Sequence, residues 1–193
     1  MTGFTQIIRY SSLVAAPWKN GLGSTREVAI DREEVSSGAF RWRVSVASMD
    51  APSPFSVFPG IDRVLAVLHG GLRLRLPGSG EQHLTPASPP VNFDGEAEMI
   101  GHPEGAGVQV VNLMVDRRLF AARLEEWTEA VLNASLRPLA IARGPTLAAH
   151  GNLTVTLEAG DALRVNSGSG TAMVFSRPVL GVALEARTNA LPI

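Results

Sequence analysis

Arg41-Trp42-Arg43-Val44-Ser45-Val46-Ala47-Ser48-Met49 alternates in character along its length. An extended strand projects successive side chains to opposite faces. Trp42, Val44, Val46 and Ser48 therefore share one face, and Arg41, Arg43, Ser45 and Ala47 share the other. The first face is greasy and the second polar. In an ordinary exposed strand the polar face meets water, whereas in a barrel it can line the interior. The sequence leaves both arrangements open, and Arg43 and Ser45 stand or fall together as pocket residues.

Outward from this strand, 19 Gly and 13 Pro interrupt the chain every few residues. The windows between them are short for helices and suit strands of about five or six residues. Further strands are expected at 6–9, 25–30, 63–69, 72–76, 91–93, 96–100 and 109–114, forming a first lobe. A second lobe is expected from strands at 128–132, 139–142, 146–149, 153–157, 161–165, 171–176 and 178–185. The stretch from Asp116 to Trp127 reads as either a short helix or a connecting strand. Turn pieces Asn92-Phe-Asp-Gly-Glu96 and Glu158-Ala-Gly-Asp161 hint faintly at a duplicated sandwich or barrel. The fold class is all-β.

Composition narrows the function. There is no cysteine, which excludes disulfides, thiolate zinc sites and cysteine nucleophiles and suits a reducing compartment. Seventeen basic against 18 acidic residues leave a formal charge of −1, which offers no footprint for nucleic acid or for an anionic membrane. Lys occurs once, at Lys19. The N-terminal residues lack the pattern of a secretory signal. Apolar runs such as Val64-Leu65-Ala66-Val67-Leu68 fall far short of the ~20 residues of a membrane-spanning helix. A cytoplasmic protein without nucleic-acid or membrane partners is expected.

Three polar clusters carry the chemistry. Pro17-Trp-Lys-Asn-Gly-Leu-Gly-Ser-Thr-Arg-Glu27 combines cations with two glycines whose N–H groups can approach an anion, and Arg can grip a carboxylate with two parallel bonds. The same residues also read as a hairpin turn around Asn20-Gly21, with Trp18 capping a core. Its spacing does not fit a phosphate-binding loop. The second cluster is Phe40-Arg-Trp-Arg-Val-Ser45. In the third, Pro54-Phe-Ser-Val-Phe-Pro-Gly-Ile-Asp-Arg63, Pro59-Gly60 reads as a tight turn and Asp62 as a group that can orient Arg63.

Other chemistries have thinner support. His69, His83, His102 and His150 show no His-x-His or i,i+4 pair, so no metal site is expected from them. No Gly-x-Ser-x-Gly elbow exists. Glu33-Glu34 and Glu125-Glu126 lie in polar stretches, which leaves Glu27 as the general base if a reaction is catalysed.

The order and spacing of these three clusters resemble the HutD/Ves family, with a looser echo through Gly70-Gly71-Leu72, Phe93-Asp94-Gly95 and Asn112-Leu113-Met114. The strong match covers about the first 115 residues. The resemblance implies a bicupin, two cupin-like jelly-roll β-barrels in one chain, expected here at 1–118, holding the pocket, and 119–193. It also implies an association with bacterial histidine utilisation, with modulation of the pathway rather than catalysis. Cupins often hold a metal through a His-x-His-plus-Glu set, which this chain lacks, so neither metal nor cofactor is expected. Leu22 replaces a glycine common in the family. The implied pocket residues are Trp18, Lys19, Asn20, Thr25, Arg26, Glu27, Arg43, Ser45, Phe58 and Arg63. The expected ligand is a small carboxylate metabolite such as urocanate or N-formylglutamate, held by the basic side chains, with Glu27 and Ser45 bonding its other end. A metal-independent enzyme and a protein-interaction module are the alternatives, and a homodimer through sheet edges is a possible assembly.

Overall fold

The computed structural model describes residues 4–32, 39–76, 78, 80–130, 139–165 and 173–187. Fifteen strands account for most of them: β1 (Phe4–Ile8), β2 (Ala15–Pro17), β3 (Gly23–Arg32), β4 (Phe40–Met49), β5 (Ser53–Pro54), β6 (Ile61–Leu76), β7 (Gly80–Leu84), β8 (Val91–Asp94), β9 (Ile100–Asp116), β10 (Phe120–Ala130), β11 (Leu139–Ala142), β12 (Thr146–His150), β13 (Leu153–Leu157), β14 (Ala162–Val165) and β15 (Met173–Ala186). A single 3-10 turn, Tyr10–Ser12, is the helical content among the described residues. No helix there is long and apolar enough to cross a membrane.

The chain forms two compact units, one of Val14–Arg123 with Leu184–Ile193 and the other of Met1–Leu13 with Leu124–Ala183. This differs from a division in chain order at 118/119. The physical reason is strand pairing: Gln6, Ile7 and Ile8 of β1 lie opposite Arg164, Leu163 and Ala162 of β14. Asp161 fixes that pairing, because its carboxylate accepts from the Tyr10 N–H at 2.9 Å, from the Glu158 N–H at 3.1 Å and from the Arg9 guanidinium at 2.6 Å.

In the Val14–Arg123 unit an eight-stranded sheet runs β2-β3-β4-β9-β6-β7, with β5 on β9 and β8 on β6. The expected strands at 63–69 and 72–76 are one strand, because β6 runs through Gly70-Gly71. Its register against β9 shifts between Val67 and His69 and again between His69 and Gly71. Gly70 has φ 77°, where a side chain is strained, and a Cβ there would also meet Val108 at 2.8 Å. Bulges of this kind bend the strand without ending its pairing, and the sheet curls into a half-barrel. The expected strand at 96–100 begins only at Ile100. Inside the curl pack Ala47, Met49, Leu65, Leu72, Leu74, Val108 and Val110, with Trp18 and Phe55 against them.

The other unit carries a seven-stranded sheet, β1-β14-β11-β15-β12-β13, with β10 on β15. The stretch 116–127 is a turn followed by β10, so the strand alternative holds over the helix. β15 passes through Pro178, joining two expected strands. Residues 171–172 and 131–132 of the expected strands lie outside the described residues. The unit's hydrophobic core holds Ala140, Ala142, Ala148, Leu157, Leu163, Met173, Phe175 and Val179, with Trp127 and Val155 packed against it. The Trp127 ring lies across Gly181, where any Cβ would overlap it.

Candidate functional site

The polar face of β4 points inward. Arg43 lies opposite Met114 of β9, which lies opposite Arg63 of β6. Ser45 faces Asn112, and Ala47 faces Val110. Cross-strand neighbours share a face of the sheet, so these rungs place Arg43, Ser45, Asn112 and Arg63 around one cavity. The cavity measures about 530 Å³. Thr25 of β3 joins them because it pairs with Ala47. The turn between β2 and β3 adds Trp18, Lys19 and Asn20, and the segment after β5 adds Phe55, Ser56 and Phe58.

Turn chemistry explains the mouth. Gly21 has φ 70°, the Gly21 N–H bonds to the Trp18 carbonyl at 3.0 Å, and the Leu22 N–H bonds to Asn20 Oδ1 at 3.1 Å. Gly23 lies beneath Trp18, whose ring a Cβ would meet at 2.8 Å. Its missing side chain seats the indole, and neither Gly21 nor Gly23 lines the cavity.

The electrostatics are those of an unmet charge. Arg63 is 4% exposed. Its Nη2 donates to Asn112 Oδ1 at 2.7 Å and its Nη1 to the Ser56 carbonyl at 3.2 Å. Its guanidinium carbon lies 5.0 Å from the ring centres of Phe55 and Phe93 and 5.7 Å from that of Phe58. Burial, followed by repulsion from Arg43, pushes its pKa down to about 10. Arg43 lies 5.5 Å from the Phe40 centre and 5.8 Å from that of Phe58. Burial lowers its pKa as well, against the pull of Glu27 and with the push of Arg32. Among the described residues no carboxylate lies within 4.0 Å of either guanidinium. Arg117 is the contrast: its Nη2 donates to Glu96 at 2.6 Å and its Nε is ion-paired with Asp62 at 2.8 Å. Asp62 thus serves Arg117 and not its neighbour Arg63, because adjacent strand residues face opposite ways.

Of the residues singled out in the sequence, Trp18, Lys19, Asn20, Thr25, Arg43, Ser45, Phe58 and Arg63 line the cavity. Arg26 and Glu27 do not. Arg26 pairs with Val46, on the other face of the sheet. Glu27 pairs with Ser45 but is exposed, with its carboxylate 3.9 Å from Arg32. Phe55, Ser56, Asn112 and Met114 also line it without having been singled out as pocket residues. Asn112 had a signal, a lone amide in the apolar run Val110-Val-Asn-Leu-Met-Val115. No described lining residue is a carboxylate or an imidazole, and the charged lining residues are Lys19, Arg43 and Arg63. Among the described residues no three His, Asp or Glu side chains come together to hold a metal ion.

Comparison with known proteins supplies a family. The HutD family model matches residues 10–179. An uncharacterised 21.2 kDa protein in the hutC 3' region of Pseudomonas putida is 34% identical over 121 residues, 62% of this chain and 63% of that one. Protein Ves of Cronobacter sakazakii is 34% identical over 106 residues, 55% of this chain and 54% of that one. The chain thus spans less than two thirds of the length of these curated relatives. The solved structure of HutD from Pseudomonas fluorescens SBW25 superposes with a TM-score of 0.79 at 25% identity, covering 94% of this chain and 98% of that one. A family model spanning most of the chain and a structural match along nearly its whole length lead to one conclusion: the chain belongs to the HutD family.

Proposed function

We propose that this chain is a HutD-like binding protein that modulates bacterial histidine utilisation by holding a small carboxylate metabolite in the cavity of the Val14–Arg123 unit. The observation that carries the reading is the pair of inward guanidiniums, Arg63 buried and Arg43 half-buried, with no carboxylate partner among the described residues. A buried unpaired cation costs several kcal/mol. An anion between the two arginines offsets that cost and gains charge-assisted hydrogen bonds. Urocanate and N-formylglutamate have the required carboxylates and fit a space of about 530 Å³. The link to histidine utilisation comes through the relatives, one a HutD and one encoded beside hutC. In this reading the chain is a bicupin, with the second sheet closing into a barrel of its own, and the sheet edges are available for a homodimer.

Calorimetric titration of the whole chain with urocanate and N-formylglutamate tests the proposal. One of them is expected to bind, and Arg43→Ala is expected to lose that binding while remaining folded. Heat that is unchanged in Arg43→Ala removes the cavity as the site. No heat from either compound removes the carboxylate reading.

A further inference from the structure

The polar groups around the cavity have their hydrogen-bond direction fixed by their neighbours. A guanidinium only donates, so the Asn112 atom 2.7 Å from Arg63 Nη2 is the amide oxygen. The Asn112 NH2 group is left to donate, and no described residue accepts from it. Trp18 Nε1–H also only donates, so Thr25 Oγ1 accepts at 2.8 Å and its hydroxyl proton is free for another acceptor. Arg43 and Lys19 bring N–H groups alone. Among the described residues no Asp or Glu lines the cavity, and the exposed Glu27 carboxylate lies 3.9 Å from Arg32.

From this we infer that the cavity selects ligands that are anionic and accept hydrogen bonds but carry no ammonium group. A carboxylate whose amino group is acylated or absent is accepted, and the free α-amino acid of the same skeleton is rejected. An ammonium would enter beside two guanidiniums with no carboxylate among the described lining residues to pair with, and like-charge juxtaposition there costs enough to reduce affinity about a hundredfold. An acyl oxygen or ring nitrogen at the same position instead meets a donor. This selectivity rests on the reading of the cavity as a carboxylate site and narrows the class of ligand it takes.

The test uses two matched pairs titrated into the whole chain: N-formylglutamate against glutamate, and urocanate against histidine. In every pair that shows binding the member without ammonium is expected to bind about a hundredfold more tightly. An amino acid that binds as tightly as its acylated or deaminated partner overturns the selectivity while leaving the carboxylate reading intact. Binding by none of the four overturns both. Asn112→Asp, which keeps the oxygen facing Arg63 and replaces the donor with an anion, is expected to narrow the ratio to within about tenfold. Asn112→Ala is expected to weaken the preferred ligand without helping the amino acid. A ratio unchanged in a folded Asn112→Asp protein also overturns the inference.

Discussion

The two units use the inward positions of their strands in opposite ways. In the Leu124–Ala183 unit those positions hold Ala140, Ala142, Ala148, Leu157, Leu163 and Phe175, and the Trp127 ring fills the space above Gly181. In the Val14–Arg123 unit the rungs across β4, β9 and β6 hold Arg43, Ser45, Asn112 and Arg63 around open space. One interior is packed, so its sequence answers to volume. The other holds charge that burial penalises, and replacing a buried ionic group by an apolar one of similar size is often neutral or stabilising. Stability therefore does not account for Arg63, whereas the proposed binding role would.

The sharpest test of the packed interior is Gly181→Ala. In a free strand position alanine is better than glycine by about 0.5–1 kcal/mol. Here its methyl overlaps the Trp127 ring. Overpacking is expected to win, with a loss at or above the top of the ~1–3 kcal/mol range, read from urea unfolding. A neutral result would mean the ring moves aside at little cost, and the contrast between the interiors would lose half its basis.

Arg63→Met is the counterpart in the polar interior. The Asn112 oxygen and the Ser56 carbonyl lose a donor, at about 1–3 kcal/mol, while the desolvated charge is removed. These nearly offset each other, so unliganded stability is expected to change by within about 1 kcal/mol. Carboxylate binding is expected to fall roughly 10–100-fold, the worth of a hydrogen bond to a charged group. Thermal melts with and without ligand separate the two effects. A large loss of unliganded stability would make Arg63 a structural residue like Arg117.

The difference between the interiors also governs how far the sequence could be read. The alternation in 41–49 marked a strand with one polar face, but only the pairing of Arg43 with Met114, and of Met114 with Arg63, turns that face inward. Arg26 shows the converse. It lies within the most informative motif, yet one step of alternation from Thr25 takes it to the far face. Asp62 was misassigned to Arg63 for the same reason, because nearness in sequence is not nearness across a pleated sheet. Strand ends were misread where glycine bends a strand without ending it, at Gly70-Gly71. The place of β1 in the second unit depends on pairing partners more than 150 residues away, which local pattern cannot supply.

Asp161→Asn tests the attachment of β1 to its sheet. Burial alone would raise the Asp161 pKa, but the Arg9 guanidinium and the N–H groups of Glu158 and Tyr10 together hold it below the usual carboxylate value. A carboxylate with a depressed native pKa contributes stability above its ordinary pKa and loses it as pH falls through the native value. The variant is expected to lose about 1–2 kcal/mol near neutral pH, and the difference from the parent is expected to shrink under acid. Urea unfolding at neutral and acid pH measures both.

The smallest effect separates Arg63 from every carboxylate-paired arginine. Its native pKa is about 10, well below the ordinary arginine value. Below about 10 the folded and unfolded chains are both protonated at this group, so its burial penalty is fully present and flat with pH. Above about 10 the unfolded chain retains a proton that the native chain has released, and this contribution makes stability rise with pH. Ligand affinity moves the other way, because the neutral guanidine no longer attracts a carboxylate. Binding is expected to hold steady through neutral and mildly alkaline pH and to decline above about 10, with the decline absent in Arg63→Met. Other groups titrate in the same range, so the informative quantity is the parent minus the variant, measured by titration calorimetry at a series of pH values. A difference that stays constant across the series would mean that Arg63 keeps its charge despite burial, and that the aromatic rings around it supply more compensation than a cation in an apolar interior ordinarily finds.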